Sequence, residues 1–298
     1  MTGPRRICLV GLGEVGQILA DDLMQLGCSI SAWDEQFCDA ESGPARAAAQ
    51  RGLALHSSAA PACAATVIII CAVTAAQTYA AADTLSAHIP SGAWFVDMNS
   101  AAPTAKQRAA NIINGEGGRY IEAAVMSPIG PKRSATSMLL GGPHAAAFLP
   151  IAQPLGFTGM RVFSGDYGPA SAAKMCRSVM IKGVEALLTE ALVAARHYGV
   201  EETVIGSLDD LFPGPDWQQL APYMMSRSIA HGKRRGEEMR EVAKTIADAG
   251  IAPLMSEACA QRQDWADQRI TGDLVPLARM LDALLKTKDR QMTEGSAS

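Results

Sequence analysis

The run Gly11-Leu12-Gly13-Glu14-Val15-Gly16 constrains this chain more than any other feature. It follows Ile7-Cys8-Leu9-Val10, an apolar run read as a buried strand. It opens the segment Glu14 to Leu26, where Val15, Ile18, Leu19, Leu23 and Leu26 recur at helical spacing. In such a strand–turn–helix unit the first glycine permits a tight turn. The second lets backbone approach a pyrophosphate, and the third lets helix and strand pack closely. Amides exposed at the helix start, together with the helix dipole, attract phosphate. Asp34 ends the next expected strand, Ser29 to Trp33, where its carboxylate is placed to bond an adenosine ribose. Glu35 follows, and no arginine stands close by to neutralise a 2′-phosphate, which favours NAD and leaves NADP as the second choice. Two other readings exist: a glycine turn that binds nothing, and a methyltransferase loop. Three glycines running straight into a helix fit a dinucleotide better.

Further strands are expected at Val67–Cys71, Trp94–Val96 and Tyr120–Ile121, with helix-compatible segments at Ala75–Ala87 and Thr104–Asn114. Strands alternating with helices predict an α/β fold, with a doubly wound parallel sheet covered on both faces. The pattern changes near Gly165. Pro169 to Tyr198 has one glycine and no internal proline, which predicts a long connecting helix, and helical patterns follow at Pro215–His231, Arg235–Ala249 and Pro253–Asp267. The expected organisation is a dinucleotide-binding Rossmann domain over 1–165, an all-α substrate and dimerisation domain over 166–288, and a flexible tail over 289–298. Met224, Met225, Leu277, Leu281 and Leu284 mark apolar helix faces that suit either a core or a subunit interface.

Composition narrows the function classes. With 298 residues, 48% apolar and 19% charged, the chain reads as globular, with about two domains. A formal charge of −4 gives no basic footprint for nucleic acid. The most apolar run, Val67 to Val73, is far short of the roughly 20 residues of a membrane span. Arg5-Arg6 precedes only four apolar residues, too few for a signal-peptide core. The seven cysteines are scattered and lack any C-x-x-C, so neither a disulfide framework nor a zinc cage is expected, and a reducing, cytoplasmic location is. His56, His88, His144 and His197 show no metal-ligand spacing.

Ligands of open α/β sheets lie beyond the carboxyl ends of the strands. Ala72-Val73-Thr74 and Asn99-Ser100 occupy such ends and are candidate cofactor contacts. Asn99 and Ser100 fit equally well as caps of the helix that Pro103 enters. On the long helix Lys174, Arg177 and Ser178 fall at i, i+3 and i+4, on one face of an otherwise largely uncharged start.

The segment from Gly165 to Ser178 resembles the helix motif G-x-x-G-x-G-x-x-x-K-x-x-N of the β-hydroxyacid dehydrogenase superfamily, which includes 6-phosphogluconate and 3-hydroxyisobutyrate dehydrogenases. Gly165, Gly168 and Lys174 match; Ala170 replaces the third glycine and Arg177 the asparagine. The resemblance covers Arg5 to about Asp267. It implies a Rossmann domain, a long helix, an all-helical second domain, a homodimer and Lys174 as catalytic acid/base. A lysine suits that role when desolvation or a neighbouring cation lowers its pKa, and Arg177 is one turn away.

The family's substrate motif D-x-P-V-S-G-G is replaced here by Glu122-Ala123-Ala124-Val125-Met126-Ser127-Pro128. This points to a divergent branch with a distinct C-terminal domain. Met126 implies a more apolar pocket; Ser127, Arg177, Ser178 and His231 complete the candidate substrate contacts, with Arg177 suited to a carboxylate. His231-Gly232-Lys233-Arg234-Arg235 reads mainly as a solvated charge run balanced by Glu237, Glu238 and Glu241. The expected function is hydride transfer between a nicotinamide dinucleotide and a small hydroxy or carbonyl compound carrying a carboxylate. An imine reductase, whose lysine position usually holds another residue, and a non-catalytic dinucleotide sensor are the alternatives.

Overall fold

The computed structural model describes residues 5–267 and 276–286; the tail expected over 289–298 lies outside them. Two compact units are present, Met1–Cys176 and Arg177–Ser298. The first contains β1 (Arg6–Val10), α1 (Glu14–Gln25), β2 (Ser29–Trp33), α2 (Gly43–Gln50), α3 (Ala59–Cys63), β3 (Ile68–Cys71) and α4 (Thr78–Ser86). It continues through β4 (Trp94–Asp97), α5 (Pro103–Gly115), β5 (Arg119–Val125), α6 (Ile129–Lys132), β6 (Met138–Gly141), α7 (Ala145–Ala152) and β7 (Met160–Ser164). Helix α8 (Pro169–Tyr198) begins in this unit and ends in the second.

Among the described residues the strands form one sheet in the order β2-β1-β3-β4-β5-β6-β7. The pairs from β2 through β5 are parallel, with Val10 opposite Cys71 and Cys71 opposite Asp97. Successive strand residues face opposite sides, so each buried strand supplies two apolar layers. Ile7, Leu9, Ile68, Ile70, Val96 and Ile121 pack on one face with Leu19 and Leu23 of α1. Cys8, Val10, Ile69, Cys71, Phe95 and Tyr120 pack on the other with Leu85 of α4 and Ile113 of α5.

The expectation of a parallel sheet needs one correction. Strand β6 runs antiparallel to β5, with Val125 opposite Met138, and β7 runs parallel to β6. Strand β6 has four residues, all buried, and β7 is an edge strand with Arg161, Val162 and Phe163 exposed. Neither carries a clean two-residue alternation of apolar and polar positions.

The second unit holds the rest of α8 with α9 (Glu201–Leu211), α10 (Trp217–Asp248), α11 (Leu254–Ala266) and α12 (Leu277–Lys286). The two helices expected over Pro215–His231 and Arg235–Ala249 form the single run α10, broken at His231, whose φ of −136° and ψ of 19° are not helical. The Asp267 carboxylate accepts from Lys233 N at 3.0 Å, satisfying an amide that the break releases. A Cβ on Gly232 would collide with Gln263 O, so this glycine lets α10 approach α11 closely. Met225, Leu281 and Leu284 are buried in the unit's own core with Trp217 and Ile229, and Met224 and Leu277 pack against it.

Candidate active site

The glycine loop is built as its sequence requires. Gly11 has φ +86°, and a Cβ there would lie 2.5 Å from Ala72 O. A Cβ on Gly16 would strike Gly11 O. Gly13 differs: its φ is −72°, it is exposed, and a Cβ there would meet nothing within 4 Å. The protein's own packing therefore explains Gly11 and Gly16 but not Gly13. An open backbone cradle at the N-terminus of α1 fits a bound pyrophosphate. Asp34 Oδ2 accepts from Leu12 N at 2.9 Å and Oδ1 from Gln36 N at 3.0 Å. A carboxylate has about four acceptor positions, so Asp34 retains capacity for ribose hydroxyls.

The adjacent strand ends are tied to this loop. Asn99 is buried; its Oδ1 accepts from Val73 N at 2.7 Å and its Nδ2 donates to Cys71 Sγ at 3.4 Å. Neither Asn99 nor Ser100 caps α5: the capping position is Ala102, without a side-chain bond, and Pro103 enters the first turn. The half-buried Ser100 instead accepts a hydrogen bond from Lys174 Nζ. Thr74 is exposed, Ala72 and Val73 half-buried.

Beneath this loop lies a polar cluster that the sequence reading missed. Lys106 is fully buried and its Nζ is 2.7 Å from Asp97 Oδ1. Tyr120 donates its hydroxyl to Asp97 Oδ2 at 2.5 Å, and Asn99 N donates to Oδ1 at 2.9 Å. Burial, and then the Asp97 charge, push the Tyr120 hydroxyl well above its ordinary pKa, so it stays a donor. Burial pushes the Cys71 thiol up to about 12. Lys106 shares helical spacing with Ala109, Ala110 and Ile113, all buried. A charge on that apolar stripe was the available signal. Glu122 was a second: it is a fully buried acid in the apolar strand β5.

Met126 packs with Ala173, the neighbour of Lys174, against Ala124, Leu139 and Ala170; Ser127 is exposed. Arg177, Ser178 and His231 belong to the second unit. There Arg177 is exposed, while Ser178 is buried and its Oγ accepts from Lys182 Nζ at 3.2 Å. The solvated reading of the basic run fails at Arg235, which is buried and paired with Glu185 on α8. Its partner is fifty positions away in sequence, so local spacing did not reveal it.

A mostly parallel sheet, a glycine loop opening α1 and an acid at the end of β2 define a Rossmann-type dinucleotide-binding protein. A family model described as the NAD binding domain of 6-phosphogluconate dehydrogenase matches residues 6–164, and a domain of unknown function, DUF1932, matches residues 195–266. The chain belongs to this 6-phosphogluconate dehydrogenase-type family, within the β-hydroxyacid dehydrogenase superfamily. Its cofactor is a nicotinamide dinucleotide, NAD or NADP.

A solved structure of a conserved hypothetical protein from Sinorhizobium meliloti is 33% identical, covers 96% of this chain and 97% of that one, and has a TM-score of 0.72. The 3-hydroxyisobutyrate dehydrogenase of Pseudomonas aeruginosa is 26% identical over 217 residues, 71% of each chain. The 2-(hydroxymethyl)glutarate dehydrogenase of Eubacterium barkeri is 24% identical over 265 residues, 86% of each. Across these and other curated relatives the aligned stretch spans from 61% to 86% of their own length. Among the described residues no helix is long and apolar enough to cross a membrane.

Proposed function

We propose that this chain is an NAD-dependent dehydrogenase acting on the CH–OH group of a small hydroxy acid, with Lys174 as general acid/base. The carrying observation is that Lys174 Nζ reaches the Ser100 hydroxyl, on the strand-end loop tied through Asn99 to the glycine loop's neighbour Val73. An amine at hydrogen-bonding distance from a hydroxyl beside the cofactor seat is the arrangement that proton transfer to a substrate oxygen requires. In oxidation the neutral amine takes the hydroxyl proton; in reduction the ammonium returns it to the oxygen. The dinucleotide, when bound, supplies the two-electron acceptor or donor.

Gly11 to Gly16 hold the pyrophosphate through the backbone of Gly13, Glu14 and Val15, since Leu12 N donates to Asp34. Asp34 holds the ribose and disfavours a 2′-phosphate. Ala72, Val73 and Thr74 line the cofactor, and Asn99 and Ser100 shape the nicotinamide end. Met126 and Ser127 form the substrate wall beside Lys174. A cytoplasmic homodimer completes the reading.

The test follows absorbance at 340 nm with NAD or NADP and 3-hydroxyisobutyrate or 2-(hydroxymethyl)glutarate as probes. It pairs the native chain with Lys174→Met. Turnover with NAD that vanishes in Lys174→Met, while NADH binding persists, is expected. Unchanged turnover in that variant refutes the role of Lys174. Binding of NADH without turnover of either alcohol, or reduction of a cyclic imine alone, refutes the substrate class.

A further inference from the structure

Glu122 sits in the middle of β5 with no exposed surface. Its Oε2 accepts from Gly168 N at 2.7 Å and its Oε1 from Ser171 N at 2.5 Å. These amides belong to the entry of α8, where backbone donors have no partner within the helix and the dipole favours negative charge. The fit leaves little slack: a Cβ on Gly141 would lie 2.6 Å from Oε2. The entry turn is held from a second side. Tyr167 O accepts from Gln107 Nε2 at 3.0 Å, and the Tyr167 hydroxyl donates to Tyr120 O at 3.1 Å. Gly168, with φ +113°, lets the chain turn into the helix.

Lys174 lies one turn beyond Ser171 on the same helix, and its partner Ser100 stands on a loop fixed by Asn99 and Asp97. Both partners of the Lys174–Ser100 bond are thus tied to buried carboxylates. We propose that Glu122 is a positioning residue for Lys174: its carboxylate clamps two amides of the α8 entry and so fixes where the lysine amine is presented. This rests on reading Lys174 as the proton-transfer group. A carboxylate offers two acceptor oxygens; a glutamine offers one and turns an NH2 toward a backbone donor.

The experiment uses the full chain with acetic anhydride as probe. Mass spectrometry reads acetylation of Lys174 relative to Lys244, whose side chain is 65% exposed on α10. Glu122→Gln is compared with Leu85→Ala, a core truncation in α4 of the same unit. A purely structural loss moves both variants alike. Glu122→Gln is expected to raise the Lys174 ratio about five- to tenfold over Leu85→Ala, the population shift that a lost helix cap produces. Glu122→Asp, which keeps the charge one methylene shorter, restores part of the protection. Equal ratios in Glu122→Gln and Leu85→Ala overturn the proposal. If Glu122→Gln does not fold, the ratio is read in Glu122→Asp, where a rise of about twofold supports positioning and no rise refutes it. Turnover that survives Lys174→Met removes the catalytic reading and leaves the labelling outcome intact, so the two failures are distinguishable.

Discussion

Replacing Gly13 with alanine separates what the fold needs from what the cofactor needs. Gly13 has a negative φ, and a Cβ would meet nothing within 4 Å. The alanine lowers unfolded-chain entropy, a gain of about 0.4–1 kcal/mol. It is also a poorer residue than glycine at a helix N-cap, a loss of about the same size. The two offset, and the melting temperature should move by about 2 °C or less. Binding has no such compensation, because the methyl group occupies the cradle through which the pyrophosphate reaches the amides. Loss of one hydrogen bond to a charged oxygen costs about 1.5–3 kcal/mol, or roughly 10- to 100-fold in the NADH dissociation constant. Energy transfer from tryptophan to bound NADH measures the affinity, and thermal unfolding by circular dichroism measures the stability. Gly11→Ala and Gly16→Ala serve as contrasts, since their Cβ atoms meet Ala72 O and Gly11 O, and both should lose stability. Native NADH affinity in Gly13→Ala, or a stability loss as large as in the other two, refutes the reasoning.

The buried ion pair under the strand ends gives a second expectation. Lys106→Met alone strands the Asp97 charge and should cost about 3–5 kcal/mol in urea unfolding, and adding Asp97→Asn should recover most of it; a double variant no more stable than the single contradicts this. Thiol labelling gives a third. Burial holds Cys71 at about 12 and Cys259 at about 11, so both stay protonated at pH 8, while Cys38 and Cys176 are exposed. Iodoacetamide should modify Cys38 and Cys176 first and spare Cys71 and Cys259 until the chain unfolds, and raising the pH from 7 to 9 should not change that order. Early labelling of Cys71, read by mass spectrometry, would count against the packing of β3.

The glycine loop, α1, β2 and the long helix were legible because each depends on local sequence: three glycines, a helical apolar stripe and a proline-free run. Helix α8 spans the expected Pro169–Tyr198. What escaped depends on partners distant in the chain. Strand β6 is too short to show a period, and its direction is set by pairing with β5. The buried role of Arg235 comes from Glu185, fifty positions away, which its own surroundings in sequence do not reveal. Within the candidate site, Lys174 stood out as a cation among small apolar residues. Glu122 stands first in the altered substrate motif, yet its carboxylate faces the α8 entry.

The reversal at β6 has a consequence for how this architecture tolerates rearrangement. Because β6 and β7 run against β1–β5, β7 ends with Ser164 beside Gly141, and Gly141 is level with Glu122. Glu122 is in turn level with Asp97, Cys71 and Val10, so helix α8 is entered at the edge where β1, β3 and β4 end, and within two turns Lys174 meets Ser100. The stretch between β5 and α8 is a return path whose parity matters more than its sequence. An insertion that lengthens its loops preserves that level. A graft that removes β6 and β7 together takes away the Gly141–Ser164 pairing that sets where α8 begins against Glu122.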